Sequence, residues 1–153
     1  MKRFLTLALI LTLFLVSSFS FSTSPSYAYS QSDLEKLLET KICIKCDLSH
    51  ANLERADLKY AYLNGANLSG ANLKYADLSG ANLKYADLSG ANLEDTNLEG
   101  TDLEGANLKD ADLLGANLED ANLEHADLKG AYIRSANIEH THTLDANLTN
   151  TQL

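Results

Sequence analysis

An all-β, four-sided solenoid closed by one short helix is the fold this 153-residue chain predicts, and three observations predict it. Leu or Ile recurs at every fifth position from Leu48 through Leu53, Leu58 and Leu63 to Ile138, Leu148 and Leu153. A small residue stands two places before each, nearly always Ala, with Thr96, Thr101, Thr141 and Thr151 as variants. The decapeptide SGANLKYADL is repeated without change at 69–78 and 79–88. A period of five fits neither the helical 3.6 nor the strand's 2, and an α-helix would scatter these leucines around its circumference. Ala and Leu, two apart on an extended chain, face the same way. Each unit is therefore a very short strand with two inward side chains, and its other three residues face outward and turn a corner. Chaining such units makes a closed coil, and the ten-residue duplication favours twenty residues per coil over fifteen.

Taken in chain order, residues 1–28 come first and belong to a separate regime. Lys2 and Arg3 precede an apolar run from Phe4 to Val16, followed by a Ser-rich stretch and the small residues Ser26 and Ala28 around Tyr27. This is the pattern of a cleaved secretory signal. The run is short of the roughly 20 apolar residues of a membrane span. No stable membrane insertion is expected after cleavage. Lys2 and Arg3 are the only charges in this stretch, so its loss moves the net charge from −9 to −11. A chain so acidic is repelled by nucleic acid and by anionic lipid. Nucleic acid is thus excluded as a partner.

Residues 29–45 are expected to form a linker and an N-terminal cap. Ser32-Asp33-Leu34-Glu35 has capping-box spacing, and Leu34, Leu37 and Leu38 form one stripe, which predicts an amphipathic helix from 32 to about 42. Cys43 and Cys46 are the only cysteines. In the repeat register they fall on a Leu-type and an Ala-type site, so both should point inward. A disulfide between them is the expectation for an exported chain. Packed free thiols are the alternative; two Cys with nearby His50 fall short of a zinc site.

From residue 46 to 153 the repeat runs without insertion or deletion, broken in apolar character only at Thr143, beside Leu144. Positions twenty apart should stack about 4.8 Å apart, so Glu54, Lys74 and Glu94 alternate in sign up one column. Units such as ANLSG, ADLKY and ANLED resemble the pentapeptide-repeat proteins, and the resemblance covers about 70% of the chain. It implies the family's right-handed quadrilateral β-helix, with the central Leu and preceding Ala inside. The stretch LLETKICIKCDLSHANL looks like the short members exported to the periplasm or thylakoid lumen of cyanobacteria, and implies that address.

A solenoid exposes an apolar coil at each end. The last residues stop in register, which makes the C-terminal coil a candidate homodimer contact through its unpaired edge. His125, His140 and His142 meet no nucleophile in a recognisable arrangement, and His125 should stack under Asp145. No catalytic residue, metal or cofactor is therefore expected. The candidate interaction surface is acidic: Glu99, Glu119 and Glu139 lie twenty apart, as do Glu104 and Glu124 on the next face. Leucine fills the interior and leaves no pocket. These features point to a non-enzymatic exported scaffold that presents an acidic face to a protein partner. Two other readings stand beside it: a DNA mimic acting on gyrase, as some family members are, and a structural, self-assembling rod.

Overall fold

The computed structural model describes residues 29–152. The expected signal segment and Leu153 lie outside the described residues. One helix, α1 (Gln31–Thr40), leads into a solenoid in which successive bridges join residues twenty apart, from Ile42↔Tyr62 to Tyr132↔Gln152, all parallel. One coil therefore takes twenty residues and four corners. Each side holds a single bridged residue, less than the short strand expected. The four sides are centred on Leu63, Leu68, Leu73 and Leu78 in the second coil and on positions twenty apart from these in the others. We number them one to four in that order. The first bridge falls at Ile42, so the coil register already includes Cys43 and Cys46.

In a unit with Asn or Asp at the bridged position the backbone N–H groups find partners, as Ala66–Gly70 shows. Asn67 N–H donates to Cys46 O of the coil below at 2.9 Å, and Leu68 and Gly70 donate to Asp87 O and Ser89 O of the coil above at 2.7 and 2.8 Å. Ala71 N–H closes the corner onto Leu68 O at 3.0 Å. The remaining donor, Ser69 N–H, goes to the Asn67 side-chain Oδ1 at 3.1 Å. This last bond is why Asn or Asp precedes the leucine: an Asx turn satisfies the one N–H that neither neighbouring coil reaches. The second corner residue has φ between 52° and 75° throughout the solenoid, as a type II turn requires. All eight glycines of the chain sit there.

The inward leucines from Leu48 to Leu128 and their alanines are almost wholly buried, except Ala56, which is partly so. Where Thr replaces Ala, its hydroxyl is not orphaned. Thr96 and Thr101 donate to Leu73 O and Leu78 O of the coil below, at 2.8 and 3.0 Å.

At the N-terminal end α1 covers the first coil. Its N-cap is Ser30, whose Oγ accepts from Asp33 N–H at 3.2 Å, two residues before the Ser32 that the sequence suggests. Lys41 ends it in the left-handed conformation, its N–H on Leu37 O. Leu37 is fully buried and Leu34 partly so, whereas Leu38 is 54% exposed and takes no part in the cap. Among the described residues no helix covers the last coil. Ile138, Leu144 and Leu148 are about half exposed or more, and Ile138 and Leu148 line, with Leu123, Leu128, Ile133 and Thr143, an apolar hollow of about 260 Å³. Thr143 holds the inward position there and Leu144 points out, so the register survives the interruption.

Candidate interaction surface

In the solenoid the corners and the bridged residue before each inward leucine carry the chemistry, because the leucines and alanines between them face inward. Asn side chains at the bridged positions do two jobs. While Oδ1 caps its own turn, Nδ2 donates to the Asx one coil below, as in Asn67→Asp47 at 3.3 Å, Asn107→Asp87 at 2.9 Å and Asn147→Asp127 at 3.0 Å. Asp has no such donor, and four aspartates of this kind recruit lysine instead, Asp57 pairing with Lys41 at 3.0 Å. The other three pairs are Lys59–Asp77, Lys84–Asp102 and Lys109–Asp127, at 3.1, 3.2 and 3.0 Å.

The expected sign alternation of Glu54, Lys74 and Glu94 is realised in its upper half. Lys74 Nζ meets Glu94 at 2.6 Å, and this carboxylate holds the lysine above its ordinary range. Glu54 turns to its neighbour Arg55 instead, whose guanidinium lies 5.1 Å from the Tyr75 ring centroid.

Net negative charge is concentrated in one half of the rod. Residues 29–90 hold eight acidic and seven basic side chains; residues 91–153 hold thirteen acidic and three basic. In that half Glu99, Glu119 and Glu139 run up side four, and Glu104 and Glu124 run up side one, with Asp120 at the corner between. The two columns differ in a way their spacing does not reveal. Glu104 is already engaged, accepting from Lys84 Nζ at 2.8 Å and from Tyr85 Oη at 3.2 Å. The Lys84 hydrogen bond holds the Glu104 carboxyl below its usual value, and Lys84 itself is raised well above its own. Among the described residues no cation pairs with Glu99, Glu119, Glu124 or Glu139; Glu119 accepts only from Asn137 Nδ2 at 3.2 Å.

The cysteines are joined as a Cys43–Cys46 disulfide, with Cys43 buried and Cys46 nearly so. Asp33 lies close by, its Oδ2 accepting from Asp47 N–H at 2.9 Å, which ties the start of α1 to the first coil. With both sulfurs in the bridge, this trio has no thiolate to offer a metal. His125 Nδ1 stands 3.8 Å from Asp145 and His140 Nδ1 3.7 Å from Asp120, both exposed. Glu119, Asp120 and His140 form the other group whose ligand atoms converge. A surface hollow of about 440 Å³ is lined by Lys109, Asp110, Lys129, Gly130, Tyr132, Asn150 and Gln152. No helix of the described residues is long and apolar enough to cross a membrane.

A solid four-sided coil, with its chemistry spread over flat outer faces, defines a repeat solenoid. Which solenoid follows from the units themselves. The chain belongs to the family described as Pentapeptide repeats (8 copies), whose model matches residues 46–84, 86–124 and 111–153. Among solved structures it resembles a pentapeptide repeat protein of the Arabidopsis thaliana thylakoid lumen, at 31% identity and a TM-score of 0.54. That match covers 56% of this chain and 59% of the plant protein, so it spans about three fifths of the latter's length. A pentapeptide repeat protein (Rfr23) from the cyanobacterium Cyanothece is 32% identical with a TM-score of 0.43, over 79% of this chain and 97% of its own. QnrB1, a plasmid-mediated fluoroquinolone resistance protein, is 22% identical with a TM-score of 0.44, over 69% and 59% of the two chains. No curated protein sequence matches significantly. The solved members of the family imply a right-handed quadrilateral β-helix for this coil.

Proposed function

We propose that this protein is a non-enzymatic, exported interaction module that offers the Glu99, Glu119 and Glu139 face to a basic protein partner. The observation that carries the reading is the unpaired glutamate column on the acidic half of a rod with a filled interior. Carboxylates stacked about 4.8 Å apart repel one another, and a partner's Lys or Arg would relieve that repulsion. Extended, rigid faces are how solenoids bind. Export to a periplasm or lumen is supported by the signal pattern of residues 1–28 and by the lumenal origin of the plant relative.

The test is crosslinking in intact cells followed by mass spectrometry, with a charge-reversed column. A reproducible neighbour captured by the native protein should be lost with E99K/E119K/E139K and kept with the control E35K/E39K on α1. Capture unchanged by the triple variant would refute the reading. The acidic rod also suits the DNA-mimic alternative, which a supercoiling assay separates: the interaction-module reading expects no effect of the purified protein on gyrase.

A further inference from the structure

We propose that this chain forms a side-by-side homodimer, with side one of one copy lying flat and antiparallel on side one of a second. The two-fold axis runs between the coils of Lys84 and Glu104. Side four, with Glu99, Glu119 and Glu139, stays free, so the dimer stands whether or not that column has a partner.

Side one is where the exposed apolar groups gather. Ile42, Ile44 and Tyr62 lie on it with 45, 50 and 54% of their surface open. Tyr60 and Tyr85 flank it at its two corners, 73 and 67% exposed, and Leu144 stands at its far end. The two corner rings lie flat on the rod because the corner one coil above is glycine. A Cβ at Gly80 or Gly105 would come within 2.6 Å of the Tyr60 or Tyr85 ring. One face of each ring is thereby held against backbone and the other is presented to solvent. Contiguous apolar surface on a polar molecule marks an interface.

Charge on the same side selects the occupant. Lys45 and Lys84 fall in its first three coils; Asp102, Glu104, Glu124 and Asp145 fall in its last three. When two such sides meet across a two-fold axis perpendicular to the rods, each column faces its own column with the coil order reversed. The first coil then meets the sixth, the second the fifth, and the third the fourth. Lys45 faces Asp145, Ile44 faces Leu144, Lys84 faces Glu104, and Tyr60 faces Asp120. Isologous contacts of this kind require self-complementary patches, and side one supplies one. Other arrangements fail on charge. Parallel rods would set each coil against its own copy, with Glu104 facing Asp102 and the acidic coils together, and moving the antiparallel axis by half a coil sets Lys84 or Glu104 on itself. The contact covers roughly 500–800 Å² per copy, at or below the standard share, so association should be micromolar.

Sedimentation equilibrium with small-angle scattering on the purified, disulfide-intact chain tests the proposal. The expected result is a dimer at about 100 μM with the maximum dimension of a single rod. Lys45 and Asp145 are five coils, about 24 Å, apart within one chain, so any coupling between them reports the second copy. K45D or D145K alone should weaken association about tenfold, and K45D/D145K should restore it, with circular dichroism unchanged. A monomer up to about 500 μM overturns the proposal. So does a dimer of nearly doubled length, which would mean end-to-end pairing through the last coil at Leu148. A double variant no tighter than the single ones overturns it as well.

Discussion

At the scale of single residues, the bridged Asn or Asp does the work that hydrophobic periodicity hides. Its position in the repeat is plain from the sequence, but its task appears only when the backbone donors are accounted for. Asn67→Ala leaves Ser69 N–H without its acceptor and removes the bond to Asp47, which should cost about 1–3 kcal/mol. Asn67→Asp keeps the acceptor, loses the donor and faces Asp47, so it should also destabilise, though by less. Chemical denaturation of the three proteins measures both. The corners allow a second comparison. Gly90 has nothing within 4 Å of an added Cβ, whereas Gly80 lies under the Tyr60 ring. Gly90→Ala should cost about 1–2 kcal/mol for its left-handed backbone. Gly80→Ala should cost more, and Tyr60→Ala in the same chain should remove the excess. Glycine marks eight corners in the sequence. The others hold Tyr, His, Asp, Lys, Arg, Ser or Asn in the same conformation, which no local preference of Tyr, Lys or Arg would suggest.

At the scale of elements, α1 shows how tertiary contact overrides a local motif. Ser32 has capping-box spacing to Glu35, yet Ser30 caps the helix with Asp33 in the third position. Asp33 can then reach both the N-cap region and, through Oδ2, Asp47 N–H on the coil. That second bond lies 14 residues away and is invisible to a local reading. The stripe of Leu34, Leu37 and Leu38 likewise resolves into one fully buried residue, one partly buried and one exposed. Leu37→Ala should therefore cost about 2–5 kcal/mol, while Leu38→Ala should be near neutral; thermal unfolding separates them. The disulfide closes so short a loop that its chain-entropy contribution is at most about 2 kcal/mol. Its reduction should loosen α1 and leave the distal coils folded, a contrast that hydrogen exchange would resolve.

For the whole molecule, the twenty-residue coil was legible from spacing alone, and with it the identity of nearly every inward side chain. Pairing between coils was less so, because which Lys meets which Asp depends on how side chains lean across corners. That pairing sets the pH response. Asp57 is held below its ordinary 3.8 by the Lys41 hydrogen bond, and Glu104 below 4.5 by that of Lys84. In Asp77 and Asp127 burial opposes the shift, but hydrogen bonds, from Ser79 and Lys109 respectively, outweigh it. Groups with depressed values contribute stability that is complete above their ordinary range and is lost as pH falls through the folded values. Lys59, Lys74 and Lys84 are raised above 10.5 by their carboxylate partners, so their contribution fades as pH climbs past that value. The melting temperature should be level between about pH 5 and 10 and fall on both sides.

Everything at the larger scales rests on twenty residues making one turn of a filled rod. Spin labels on Cys introduced at Ser49 and Thr149, diluted with unlabelled chain, measure this most directly by pulsed dipolar spectroscopy. These positions share one column five coils apart, and the expected separation is about 24 Å. A separation near 32 Å, as fifteen-residue coils would give at the same rise, would contradict the account.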